Sequence, residues 1–367
     1  MQVIETHFAW VFLTVRKAYK LKKPMRQTSM DYRSLAARER GCRNEVTLNR
    51  RLAPGIYLRA VPVVRTETGE VALGRARAFG ARRGKGTVLD WLIEMRRLPA
   101  EGMLDRVIAA QRVSRVHLDR LVHALTRFFR RANPRPMSDR AYLKRLQGQI
   151  EKNAAELGAP DLGLSRERIE SVTRLQLELL GAGPRLLAGR GGRVRDGHGD
   201  LRPEHVYVGG RAGDACVIDC LEFDPDLRRL DPAEEVAFLA LECERLGAPI
   251  TGSELIERYR ASTSDPAPDA LMHFYMSRRA ATRAKIAAWH LRDEQFAGEH
   301  AKWKARAYSY LDDALDHIRA AERALCAGDQ RSGVLEKLGH EGQQLLGPQR
   351  LVCDPQVPVR LQALHHE

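Results

Sequence analysis

The chain has 367 residues, of which 44% are hydrophobic and 6% aromatic, and its 61 Lys and Arg against 47 Asp and Glu leave a net charge of +14. That length suits one large two-lobed domain or two ordinary ones, the hydrophobic share supports a sizeable core, and the charge fits either a polyanionic partner or arginine-dressed helix surfaces, the arginines being spread along the chain. Six cysteines without a CxxC pair exclude a zinc or disulfide framework as the expectation, and the apolar run within residues 3–15 is too short to span a bilayer and lacks the features of a signal peptide, so a soluble, cytoplasmic protein with reduced thiols is expected.

The first hundred residues read as a small strand-rich lobe with one helix. Residues 3–4 and 8–13 suggest a first strand or hairpin, and 18–21 a second strand ended by Lys22-Lys23-Pro24. From Tyr32 to Leu52 the period turns helical, with Ser34 as cap and Pro54-Gly55 as stop. Residues 57–64 and 71–73 read as strands about a turn at 67–70, and 88–95 as a last strand leading into Arg96-Arg97-Leu98-Pro99. The remainder is mostly helical: 103–129, 138–157, 166–180, 231–246, 252–261, 271–291 and 301–325 carry 3.6-residue apolar periods. After Ala327 the period fades, and Gly, Pro and Gln gather in an expected appendage.

One stretch interrupts the helices. His198-Gly199-Asp200-Leu201-Arg202-Pro203-Glu204-His205-Val206 runs into a glycine-rich turn at 209–213, then into Val217-Ile218-Asp219-Cys220-Leu221-Glu222. A loop carboxylate, a hairpin and a second carboxylate suit two jobs: one accepts a proton from a hydroxyl and the other holds a metal against phosphate. A strand-rich lobe, a hinge and a helical lobe with such a hairpin form the α+β, two-lobed protein-kinase-like architecture. Its divisions are 1–98 for the N-lobe with its hinge strand, 99–326 for the C-lobe, and 327–367 for the appendage.

His198-Gly199-Asp200 resembles the catalytic loop of the aminoglycoside phosphotransferase-like kinases, H-G-D-x-x-x-x-N, and Ile218-Asp219 with Glu222 resembles their metal-binding segment. In the first lobe, residues 5–7, 10–13, 18–24, 48–54 and 95–99 resemble one branch of that family. That branch is often joined to an ATP-binding P-loop domain, which these 367 residues do not contain. The resemblance spans roughly residues 3 to 325. It implies ATP as phosphoryl donor, Mg²⁺ as cofactor and a small-molecule hydroxyl as acceptor, with Asp200 as base and Asp219 as metal ligand. His198 is expected to bond the loop backbone, and Arg202 to face the cleft and hold an anionic substrate group. Asp231 caps a helix and, by the resemblance, braces the catalytic loop.

Where the family has its second metal-binding Asn, this chain has His205. Imidazole suits softer ions than Mg²⁺. Three readings stand: a single metal with His205 bonding phosphate or Asp200, a preference for Mn²⁺, or a nucleotide-binding module without catalysis. Glu222 is a further candidate for the metal shell. Lys20, two residues after Ala18, is expected to reach the phosphates, with Lys22 as rival on the same strand face and Glu45 as the helix partner. Thr6 and His7 stand in for a glycine-rich phosphate loop, and Glu94 and Met95 belong to the stretch expected against adenine. Residues 80–87 imitate a P-loop but lack its spacing. No basic-and-aromatic module points to nucleic acid. The acceptor and the oligomeric state are not legible.

Overall fold

The computed structural model describes residues 1–27, 30–74, 86–181, 186–210 and 215–337, with the side chains of 295 and 328–337 left out. The P-loop imitation at 80–87 lies almost wholly outside the described residues, as does most of the expected appendage.

The N-lobe is an antiparallel sheet of β1 (Gln2–Glu5), β2 (Ala9–Leu13), β3 (Lys17–Lys22), β6 (Tyr57–Arg65), β7 (Val71–Leu73) and β8 (Thr87–Arg96), in the order β1-β2-β3-β8-β6-β7. Threonines close its first two turns. Thr6 Oγ1 accepts the Ala9 N–H at 3.0 Å and donates to the Ala9 carbonyl at 2.9 Å, and Thr14 does the same around Lys17. A short hairpin, β4 (Arg26–Gln27) and β5 (Met30–Asp31), leads to helix α1 (Leu35–Asn49), which Ser34 caps by accepting the Ala37 N–H. Cys42 and Val46 of α1 pack on Ala18, Trp91, Ile93 and Met95 of the sheet. The period of two therefore turns Ala18, Lys20 and Lys22 of β3 toward the helix.

Beyond Arg96 the chain crosses to the C-lobe through Pro99. Residues 103–129 are not one helix: α2 (Leu104–Ala109) ends before Gln111, whose φ is 51°, and α3 (Arg115–Arg131) starts afresh. The break has a local cause. Ser114 and His117 form a reciprocal capping box, Oγ accepting the His117 N–H and Nδ1 accepting the Ser114 N–H, each at 3.3 Å.

The other C-lobe helices are α4 (Asp139–Leu157), α5 (Arg166–Gly181), α6 (Pro232–Arg245), α7 (Pro249–Thr263), α8 (Asp269–Trp289) and α9 (His300–Lys337). Helix α9 thus continues beyond residue 326. Every residue of α6 from Ala233 to Cys243 is buried, because the other helices surround it. A buried ionic knot anchors its start: the Arg190 guanidinium spans Asp231 and Asp265 at 2.6–3.0 Å, and Tyr275 donates to Asp231 at 2.8 Å. Two-residue ladders, β9 (Arg195–Asp196) with β12 (Arg229–Leu230) and β10 (Val206–Tyr207) with β11 (Cys216–Val217), frame the loop between them. Cys42, Cys216, Cys220 and Cys243 are free thiols. Among the described residues no helix is long and apolar enough to cross a membrane.

Candidate active site

The two lobes meet where β3 and α1 face the loop at 198–205. Asn49, at the end of α1, accepts the Cys220 N–H at 2.9 Å, and Arg51 donates to the carbonyls of Asp196 and Gly197 at 2.8 Å. One helix end therefore sets the position of both carboxylate-bearing segments.

On the N-lobe side, Lys20 Nζ lies 2.9 Å from Glu45 Oε1 and 2.6 Å from Asp219 Oδ1. Burial opposes the Lys20 charge, but Asp219, Glu45 and Glu222 outweigh it and hold its pKa well above the ordinary lysine value. Lys22 sits deeper, bonded to the other Glu45 oxygen at 2.5 Å and to Glu222. Tyr32 also donates to Glu222, at 2.7 Å. Glu222, expected near the metal, is thus tied into the N-lobe, because a buried ammonium and a phenol compete for its carboxylate.

Asp219 has a φ of 62°, a left-handed conformation that Asp tolerates better than most residues. Its N–H donates to the Tyr57 hydroxyl at 3.1 Å, and its carboxylate is the most exposed of the group. Burial acts to raise its pKa, yet Lys20 and His205 pull it well below the usual carboxylate range. Asp200 behaves likewise: burial works against its charge, and Arg202, His205 and Arg283 hold it ionised.

His205 stands between the two carboxylates. Its Nδ1–H donates to the Asp200 carbonyl at 2.8 Å, which leaves Nε2 as acceptor, 3.2 Å from Arg202 Nη2 and 3.7 Å from Asp219 Oδ2. His198 takes the opposite tautomer. Its Nδ1 accepts the Asp200 N–H at 3.3 Å and its Nε2–H donates to the Ile218 carbonyl at 2.9 Å. Burial, then the neighbouring His205, lowers the His198 pKa to about 3, so it stays neutral and ties the loop to the hairpin.

Several side chains lie elsewhere than expected. Arg202 does not point freely into the cleft: Nε is 3.0 Å from Asp200 Oδ1 with poor N–H alignment, and the guanidinium also bonds Glu204 and His205. Asp231 caps α6 and serves the Arg190 knot instead of the catalytic loop. The brace is Glu235, one helical turn on, which accepts the N–H of His198 at 2.8 Å and of Gly199 at 2.6 Å. Glu94 lies on the sheet face away from α1, paired with Lys17 and with Arg59 at 2.6 Å, whereas Met95 pairs with Ala18 across the ladder and joins the core under α1. Alternation along β8 dictates that split. Thr6 is spent on its turn. His7 leaves the phosphate side and docks on the C-lobe, 3.3 Å from Asp293 and stacked on Phe296.

Contributors missed in the sequence include Tyr32, Tyr57, Asn49, Arg51, Glu235 and, on α8, Arg279, which donates to the Gly199 carbonyl at 3.3 Å, with Arg283 one turn on. Among the described residues no group of three His, Cys, Asp or Glu side chains is arranged to hold a metal ion. Asp219 Oδ2 and His205 Nε2 nonetheless converge closely enough for one ion to touch both.

No family model matches the chain. The uncharacterized protein Rv2004c of Mycobacterium tuberculosis (strain ATCC 25618 / H37Rv) is 30% identical over 366 residues, covering 96% of this chain and 67% of that protein. The uncharacterized protein Mb2027c of Mycobacterium bovis matches to the same extent. The chain belongs to the family of these mycobacterial proteins. Its six-stranded antiparallel sheet followed by a helical lobe is the two-lobed arrangement expected from the sequence. Among solved structures it is similar to a choline/ethanolamine kinase family protein from Mesorhizobium loti (13% identity, 87% of this chain and 92% of that one, TM-score 0.46). It is also similar to a glucosamine kinase in complex with glucosamine, ADP and inorganic phosphate (14% identity, 88% and 82%, TM-score 0.44).

Proposed function

We propose that the protein is a phosphotransferase that moves the γ-phosphoryl group of ATP to a hydroxyl of a small molecule. The observation that carries this reading is Lys20 Nζ bridging Glu45 and Asp219, with Asp200 facing the same space from beyond His205. A paired lysine gives a fixed cation for phosphates, and phosphoryl transfer needs positioning and charge more than covalent help.

Asp219 and His205 Nε2 would hold a divalent cation, which supplies charge neutralisation at the phosphate oxygens when bound. Asp219 is kept ionised and open to the cleft, as a ligand must be. Asp200, also ionised, orients the acceptor hydroxyl and takes its proton once Arg202 turns away from it. Glu235 and His198 hold the loop that carries Asp200, and the Arg51 bonds to the same loop keep it in register with α1.

The test is ADP release by the full chain with ATP and Mg²⁺ across a panel of small hydroxy compounds, with melting temperature reporting nucleotide binding. Asp200→Asn should keep MgATP binding and lose about 10²- to 10⁴-fold in turnover, the scale of general-base assistance. Equal turnover by both proteins would remove Asp200 from the chemistry. A wild-type chain that binds MgATP but turns over no acceptor would leave a nucleotide-binding module, in keeping with Arg202 occupying both Asp200 and His205.

A further inference from the structure

Helix α8 turns one face toward the catalytic loop. Arg279 donates to the Gly199 carbonyl, and one turn later Arg283 is among the charges that hold Asp200 ionised. The spacing of four residues stacks the two guanidiniums on the same side of the helix. They differ in their partners. Arg279 reaches the loop and pairs with Glu234, its Nε 2.9 Å away in poor alignment, and its guanidinium lies over the Phe238 ring.

Arg283 has no hydrogen bond to any described residue. Its side chain is 13% exposed, its Nε is sealed from solvent, Glu242 is 4.0 Å away, and its guanidinium lies 5.8 Å from the Tyr310 ring centroid. Glu242 is itself engaged by the Tyr310 hydroxyl at 3.0 and 3.2 Å. A largely buried guanidinium with unused donors is costly unless something completes it. The carboxylate nearest the chemistry, Asp200, is already in contact with Arg202, and Glu204 also draws on that arginine. What remains beside the base is a set of guanidinium N–H donors that these carboxylates do not use, a match for a planar or tetrahedral anion.

We propose, resting on the phosphotransferase reading above, that Arg283 and Arg202 form the acceptor subsite. The acceptor is then a small hydroxy compound bearing a carboxylate or phosphate group close to the hydroxyl that is phosphorylated. Binding of that anion draws Arg202 off Asp200 and frees the base for the hydroxyl. In the transfer, the acceptor O–H bond breaks and its oxygen bonds the γ-phosphorus. The bond from that phosphorus to the bridging oxygen breaks, ADP leaves with the electron pair, and the proton passes to Asp200 and on to water.

The experiment has two arms on the full chain, comparing wild type, Arg283→Gln and Arg283→Lys. In the nucleotide-free arm, melting temperature is followed with D-glycerate, glycerol 3-phosphate and neutral glycerol at constant ionic strength. The anions should raise the wild-type melting temperature and glycerol should not, with the shift lost in Arg283→Gln and partly kept in Arg283→Lys. No anion-specific shift, or the same shift in wild type and Arg283→Gln, overturns the proposal. In the second arm, ADP release with MgATP is measured for these compounds and for gluconate, glucose and glucosamine. Acidic acceptors should be preferred, and Arg283→Gln should raise their KM about tenfold or more, the scale of a charged hydrogen bond, with MgATP affinity kept within about twofold. A neutral or cationic best acceptor overturns the proposal, as does a loss of nucleotide affinity equal to the loss for the acceptor. If the wild type binds no MgATP, the phosphotransferase reading fails, and the first arm still decides whether Arg283 holds an anion.

Discussion

The two walls of the cleft are built on different plans. The N-lobe wall is a ladder of paired charges: Lys20 and Lys22 share Glu45 and reach across to Asp219 and Glu222. Each cation there has a carboxylate, set by the alternation of one strand and one face of one helix. The C-lobe wall is held by a backbone brace, Glu235 on two loop amides, and carries arginines whose donors are only partly used. The first wall is preformed, while the second keeps charge in reserve. That difference separates a surface that receives the same ligand each time from one whose ligand must still complete it.

The sharpest way to break the comparison is through the two lysines. Lys20→Ala should weaken MgATP binding about tenfold or more, since a charged partner of the phosphates is lost. Lys22→Ala should do something else. It leaves buried Glu222 with only the Tyr32 hydroxyl and buried Glu45 with Lys20 alone, and removing one partner of a buried ion pair costs about 3–5 kcal/mol of stability. Calorimetric titration and denaturant unfolding on both variants separate the two effects. If Lys22→Ala proves the stronger nucleotide mutant at unchanged stability, the ladder is assigned in the wrong register.

The C-lobe brace is tested by Glu235→Gln. An amide has one acceptor oxygen where the carboxylate has two, so a loop amide is weakened, at about 1–3 kcal/mol. Burial raises the Glu235 pKa, more than the Gly199 and His198 amides lower it. A carboxylate raised in the fold contributes stability that is fully present below its unfolded pKa, about 4.3, and lost as pH rises through the folded value. The deficit of the Gln variant should therefore be largest near the unfolded value and shrink as pH rises. Unfolding measured across that range should show the narrowing. A deficit that widens with pH would mean that the ionised form is favoured in the fold.

The strand ladder was legible because its geometry is local. A period of two is enough to place Lys20 and Lys22 on one face, and Glu45 follows from the helix period. The same alternation assigns the Glu94 side chain to the outer face, opposite Ile93 and Met95, a placement that the rule already in use gives in advance. The split between α2 and α3 also left a signal, a Ser114 cap ahead of a new apolar run. Glu235 and Arg283 left none. Their partners, at positions 198 to 200, lie dozens of residues away, and only the packing of α6 and α8 against the loop brings them there. At Asp231 the helix cap was legible because capping is local, whereas the Arg190 knot that claims the same carboxylate was not.

His205 tests both walls at once, because it touches each of their carboxylates. Its Nδ1–H bond to the Asp200 carbonyl is one that an Asn amide N–H also makes. Its Nε2 contacts with Arg202 and Asp219 depend on the longer ring. His205→Asn should therefore keep the loop and change the metal preference. Nitrogen ligation favours Mn²⁺ relative to Mg²⁺ more than an amide oxygen does, so the ratio of Mn²⁺- to Mg²⁺-supported turnover should fall severalfold in the variant, about twofold to tenfold. His205→Ala removes both ends and should lower turnover with either metal. Should the Asn variant lose activity equally with both metals, Nε2 acts on phosphate or on Arg202 and is not a metal ligand. In that case the fixed part of the site is the lysine ladder with Asp219 alone, and His205 belongs with the unfinished wall of arginines.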